Sequence, residues 1–104
     1  MATSEQISKV DDLYAQGKYQ EAQKEYTRML DSLKEDSGER ALTLLKLGKL
    51  HDKLHNLEKA IDCLRKSLEI SRKIFGEDNE KTAEAMSALA LALAAHGETN
   101  EAES

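Results

Sequence analysis

The sequence predicts an all-α fold, on three observations. Apolar residues recur at helical spacing in every long segment, and no stretch alternates with the period of two that marks a strand. Ala, Leu, Glu and Lys dominate, with no Pro, no Trp and only four aromatic residues, Tyr14, Tyr19, Tyr26 and Phe75. Short polar breaks containing glycine, "KEDSG" and "FGEDNE", separate the apolar segments.

Five helices follow in order. The first covers about residues 4–16, with Ile7, Val10, Leu13 and Tyr14 on one side and Gly17 marking its end. The second runs over about 19–33 and carries Ala22, Tyr26, Met29, Leu30 and Leu33. Asp36, three residues before Glu39, offers a capping-box-like start to a third helix over about 39–54. The fourth spans about 57–74. The fifth spans about 81–96 and ends at Gly97, after which "TNEAES" starts a further helix.

At 104 residues the chain is one domain or part of one, and a fold this size buries only about two-thirds of its extended surface, which leaves little room for a deep cleft. Charged residues make up 34% of the chain and the net charge is −5, so the clustered basic footprint of a nucleic-acid binder is absent and no nucleic-acid partner is expected. Cys63 is the only cysteine and cannot form an internal disulfide, and "MATSEQ" lacks the basic and apolar regions of a signal peptide. An intracellular, cytoplasmic setting is therefore expected. The fifth helix is apolar almost all round yet too short to span a membrane, so no membrane partner is expected either.

Three junctions in the chain resemble one another. "GKYQEA" (17–22), "HNLEKA" (55–60) and "GETNEA" (97–102) align as helix-turn-helix turns, with 38 residues from Ala22 to Ala60 and 42 from Ala60 to Ala102. That spacing is the signature of paired-helix repeats, in which each pair buries its apolar faces only by stacking on the next. The pairs lie at about 4–35 and 39–75, with the fifth helix and the start of a third pair over 80–104. Gly48 and Ala90 occupy the same slot, where one helix must closely approach its neighbour. Ala22, Ala60 and Ala102 sit where a larger side chain would push a pair apart, and Gly17 and Gly97 permit left-handed turns.

With Leu44, Leu47, Gly48, Leu57, Ala60, Leu64 and Leu68 in the second unit, and Met86, Leu89, Ala90, Leu93, Gly97 and Ala102 in the third, the chain resembles the tetratricopeptide repeat family over nearly its whole length. The stretch "FGEDNEKTAEAMSALALALAAHGETNEAE" is similar to the 42-residue repeats of kinesin light chains and nephrocystin-3-like proteins. The chain departs from the pattern in having no Pro to close each repeat, and Ser87 and Ala88 stand where the light-chain class often has an Asn pair. The resemblance implies a right-handed α-solenoid of antiparallel helix pairs, whose first helices line a concave groove that binds protein or peptide. An adaptor or scaffold without catalytic activity is the implied role.

"HDKLH" (51–55) raises a competing expectation, because two histidines four apart on a helix with a carboxylate between them look like a zinc-protease signature. The repeat gives both histidines structural work: His51 lies in the slot between paired helices and His55 in the turn. A catalytic zinc also needs a third ligand, for which His96 is the only candidate, and a base that reaches the metal-bound water, which Asp52 does not. Cys63 has apolar neighbours and no activating base, so it reads as a small half-buried side chain. No metal, cofactor or catalytic residue is expected.

Two binding surfaces are expected instead. On the third helix, at about 100° per residue, Leu42, Leu45, Lys46, Lys49, Asp52 and Lys53 share an arc of roughly 120° beside the packing arc. With Ile7, Asp11 and Tyr14 from the first helix and Glu84, Ser87, Leu91 and Ala95 from the fifth, this arc is the expected groove. Lysines beside leucines suit a segment with acidic residues near an apolar anchor. The second surface is the fifth helix, where Leu89, Leu91 and Leu93 are expected to lie uncovered. Either the chain is a fragment of a longer array, or this face pairs with a second copy to form a homodimer.

Overall fold

A computed structural model of the chain describes the backbone of residues 4–33 and 35–103 and the side chains of residues 8–33 and 35–97. It consists of α1 (Ser4–Ala15), α2 (Tyr19–Ser32), α3 (Gly38–Lys53), α4 (Leu57–Phe75) and α5 (Glu80–Glu103), with no strand among the described residues. Each helix packs on the next, and α5 also touches α3. The molecule measures 44 × 33 × 21 Å. No helix is long and apolar enough to cross a membrane among the described residues.

Two of the turns share one geometry. After α1 the Gly17 amide donates to Tyr14 O and the Lys18 amide to Leu13 O, with Gly17 at φ +79°. After α3 the His55 amide donates to Asp52 O and the Asn56 amide to His51 O, with His55 at φ +63°. Both are Schellman closures, and His55 adopts the left-handed conformation that glycine takes at the first junction.

The α2–α3 break is capped differently from the expectation. Ser37, not Asp36, is the N-cap of α3: its backbone is extended and its Oγ accepts from the Arg40 amide at 3.1 Å. Asp36 is engaged elsewhere, 3.2 Å from Lys73 on α4. Arg40 in turn donates to Leu33 O at the end of α2 and, at 3.4 Å, shares Leu30 O with the Leu33 amide. At the α4–α5 turn, Gly76 takes φ +89° and Thr82 donates to its carbonyl at 2.7 Å.

The core follows the paired-helix pattern. Val10, Ala22, Tyr26, Met29, Leu47 and Leu50 fill the space between the first three helices. Leu45, Ile61, Leu64, Leu68, Ala85 and Ala92 fill that between the last three. Ala22 and Ala60 are fully buried, as the close approach of paired helices requires. Ala102 and Ile7 lie outside the described side chains.

The third junction does not form. α5 continues through Gly97 to Glu103, so Gly97 neither ends the helix nor takes a positive φ. Residues 98–103 contain a single apolar residue, Ala102, too little to hold a returning helix against α5, and local helix propensity prevails. Ala90 is consequently exposed, whereas Gly48 in the equivalent slot is buried against α4.

Candidate functional site

On the side shared by α1, α3 and α5, two ion pairs join four of the residues expected there from the sequence, Asp11 with Lys46 and Lys49 with Glu84. Lys46 Nζ donates to both carboxylate oxygens of Asp11 at 2.9 and 3.1 Å. Asp11 Oδ1 also accepts from the Tyr26 hydroxyl at 3.0 Å, so one carboxylate links α1, α2 and α3. Lys49 lies 3.1 Å from Glu84, linking α3 to α5. These pairs are partly solvated and each contributes no more than about 1 kcal/mol, so their main effect is on helix register.

The pairing changes the electrostatics expected of this surface. Two of its three lysines are already neutralised, and an acidic ligand would compete with Asp11 and Glu84 for them. Lys53 is exposed and has no ion-pair partner among the described residues. Both partners lie 35 residues from their lysines, Asp11 before Lys46 and Glu84 after Lys49. That shared separation, close to one repeat, was the available signal for the pairing.

The apolar members of the expected groove divide. Leu42 is 39% exposed and Leu91 73% exposed, and Ser87 is open to solvent. Leu45 is a correction: it is 5% exposed, packed against Ile61, Leu64, Leu68, Ala85 and Ala92, and does not reach the groove. Its position is claimed by α5, which docks on the flank of α3 next to α4. Tyr14 is half-buried, its ring centroid 5.3 Å from that of Tyr19, and Ala95 is half-buried on α5.

The fifth helix also corrects the grouping of its leucines. Leu89 is partly buried against the core between α4 and α5, so it is not part of an uncovered face. Leu91 lies seven residues from Glu84, on the groove side. Leu93, 41% exposed, shares the outer side of α5 with Met86, 42% exposed.

The two histidines do not converge. His51 is 5% exposed inside the helix pair, and His55 is exposed on the turn. Among the described residues no three His, Cys, Asp or Glu side chains gather to hold a metal, so His96 does not complete a site. His51 Nδ1 is buried without a hydrogen-bond partner. Burial first, and Lys59 second, push its pKa below the usual histidine value. Burial likewise raises the Cys63 thiol, which favours the protonated, unreactive form.

His51 makes stability pH-dependent with a definite sign. The unfolded chain takes up the proton near pH 6.5 and the folded chain only below that, so stability is full above about 6.5 and declines as pH falls from there. Melting curves between pH 7.5 and 5 are expected to show a steeper loss for the native chain than for His51→Phe. Parallel slopes in the two proteins would rule His51 out as the cause.

A family model for the tetratricopeptide repeat matches residues 9–70 and again residues 39–104. The two matches overlap on α3 and α4, the central helix pair. No curated protein and no solved structure matches the chain significantly.

Proposed function

Because this chain belongs to the tetratricopeptide repeat family, whose repeats generally mediate protein–protein interactions, we propose that it is a non-catalytic adaptor or scaffold module that takes a protein segment on the α1–α3–α5 side. The observation that carries this reading is Leu91, 73% exposed on that side. Leu42 provides a second apolar contact, and Lys53 a cation beyond the two ion pairs. An apolar anchor within a polar rim is the arrangement that concentrates binding energy in a few side chains. The ligand this favours is an apolar segment with a modest acidic component, because Lys46 and Lys49 are already paired.

The 42-residue offset that superposes the α5 pattern on α3 supports placing the chain near the kinesin-light-chain class of repeats. The right-handed solenoid sense belongs to the same proposal.

Selection from a displayed library of random 12-residue peptides tests the groove. Binders are expected to lose at least roughly tenfold in affinity with Leu91→Asp, the loss of a central apolar anchor being worth about 1.4 kcal/mol or more. Lys53→Glu is expected to weaken preferentially those that carry acids. Binders indifferent to Leu91, Leu42 and Lys53 would place recognition elsewhere.

A second reading is favoured by one specific observation, the exposure of Met86 and Leu93 on the outer side of α5. It makes that face a contact surface in its own right.

A further inference from the structure

The two ion pairs on the groove side are held with unequal firmness. Asp11 accepts from Lys46 Nζ on both carboxylate oxygens, at 2.9 and 3.1 Å, and from the Tyr26 hydroxyl at 3.0 Å. Tyr26 is buried, so this carboxylate is fixed from the core side. Glu84 accepts from Lys49 on Oε1 alone, at 3.1 Å, and has no other partner among the described residues. The side chains of Lys49 and Glu84 are 46% and 52% exposed, against 28% and 43% for Lys46 and Asp11. Drawing Asp11 away breaks two hydrogen bonds to Lys46 and disturbs the third, to Tyr26. Drawing Glu84 away breaks one, at a place that solutes reach.

We propose that Glu84 is an internal stand-in for a carboxylate of the bound segment. It holds Lys49 in the free chain, gives it up to an acidic residue of the segment, and so sets how acidic a segment the groove accepts. Asp11 and Lys46 stay paired throughout. The inference rests on the adaptor reading and deepens it by giving the ligand carboxylate a place. Two neighbours favour that place. Lys53, exposed and without an ion-pair partner among the described residues, lies one turn further along the same side of α3, so a carboxylate there is shared by two ammonium groups. Leu91 lies seven residues after Glu84, two turns or about 10 Å along the same face of α5. An apolar anchor on Leu91 and a carboxylate at Lys49 therefore fall within one short segment, with the exposed, uncharged Ser87 between them. Asp52, the one other acid on this arc of α3, forms no ion pair among the described residues.

Exchange has a definite sign. Once displaced, Glu84 stays on the same helix beside the incoming carboxylate, and the two repel. The native groove therefore disfavours an acid at this place, and removing the Glu84 charge relaxes that selectivity. A pair this exposed is weak, so the expected change is about three- to fivefold in affinity rather than orders of magnitude.

The test uses the full chain and a displayed-library peptide whose binding requires Leu91. The peptide is synthesised with Gln and with Glu at each position in turn, and fluorescence anisotropy gives the Glu-to-Gln affinity ratio at each. At one position or two neighbouring ones, that ratio is expected to rise about three- to fivefold in Glu84→Gln and by less in Asp11→Asn. Adding Lys49→Met to Glu84→Gln is expected to take the rise away. Ratios that match in the native chain and Glu84→Gln at every position overturn the proposal, and so does an equal rise in Asp11→Asn. If the library yields no Leu91-dependent peptide, the adaptor reading fails on its own, and the exchange is read with glutarate as the probe. Followed by NMR of the lysine ε carbons, Lys49 is expected to respond at lower glutarate in Glu84→Gln than in the native chain, and Lys46 to respond last. Lys46 and Lys49 responding together, with or without the Glu84 charge, overturns the proposal.

Discussion

Gly48→Val is expected to lower the melting temperature by roughly 15 °C or more, corresponding to a loss of about 3 kcal/mol in a domain of this size. A Cβ at Gly48 would stand 2.7 Å from Leu64 Cγ, 2.8 Å from Leu64 Cδ2 and 3.3 Å from the Ala60 carbonyl oxygen. Leu64 is 1% exposed and sits inside the core between α3, α4 and α5, so it has no open volume to move into. The Ala60 oxygen is backbone and can move only with α4. The helices must therefore separate, which loosens Leu44, Leu47 and Leu68 as well. Removing a mid-helix glycine recovers up to about 1 kcal/mol of propensity, less for a β-branched residue, and cannot offset this. Gly97→Ala is the contrasting control: it is helical and has open space around it, so the propensity gain is expected undiminished. Thermal denaturation followed by circular dichroism compares the two, and a Gly48→Val protein melting within a few degrees of the native chain would mean that α3 and α4 do not approach this closely.

The same glycine shows what the sequence makes legible. Gly48, Ala22 and Ala60 stand at fixed offsets within the repeat, and a small residue at a fixed offset in a periodic apolar pattern has few meanings besides close helix approach. All three are buried where paired helices approach. Leu45 is not legible in the same way, because a first helix in a solenoid has neighbours on more than one flank. α4 covers the arc around Leu44 and Gly48, while α5 takes the adjacent arc that includes Leu45. Helical angle alone cannot distinguish that second buried arc from a groove. Gly97 was misread for a related reason: the turn at Gly17 depends on a following helix that folds back onto α1, and residues 98–103 lack the apolar residues to do so. The Asp11 and Glu84 partners of the lysines are marked by no local motif, only by the 35-residue separation that both pairs share.

Tyr26→Ala is expected to cost about 3–5 kcal/mol, and Tyr26→Phe only about 1 kcal/mol. Tyr26 is 1% exposed, packed with Val10, Met29, Leu47 and Leu50, so truncation to alanine opens a ring-sized cavity where α1, α2 and α3 meet. α1 has its main packing against α2, whereas α3 and α4 pack extensively on each other, so α1 is expected to loosen first. Amide exchange in α1 should accelerate in Tyr26→Ala well before that in α4. Phenylalanine keeps the ring and removes only the hydroxyl that donates to Asp11. Asp11 retains Lys46 and remains partly solvated, so no buried acceptor is stranded. Burial, with the Asp11 hydrogen bond adding to it, raises the Tyr26 pKa well above the ordinary tyrosine value, so the hydroxyl stays protonated and donating in the folded chain. A group that is neutral when folded gives stability that is complete below the unfolded pKa, near 10, and declines as pH rises beyond it. Tyr26→Phe is therefore expected to lessen the alkaline loss of stability while lowering the melting temperature slightly at pH 7. If Tyr26→Phe proved as damaging as Tyr26→Ala, the hydroxyl that donates to Asp11, rather than the ring, would be what holds α2 to α1.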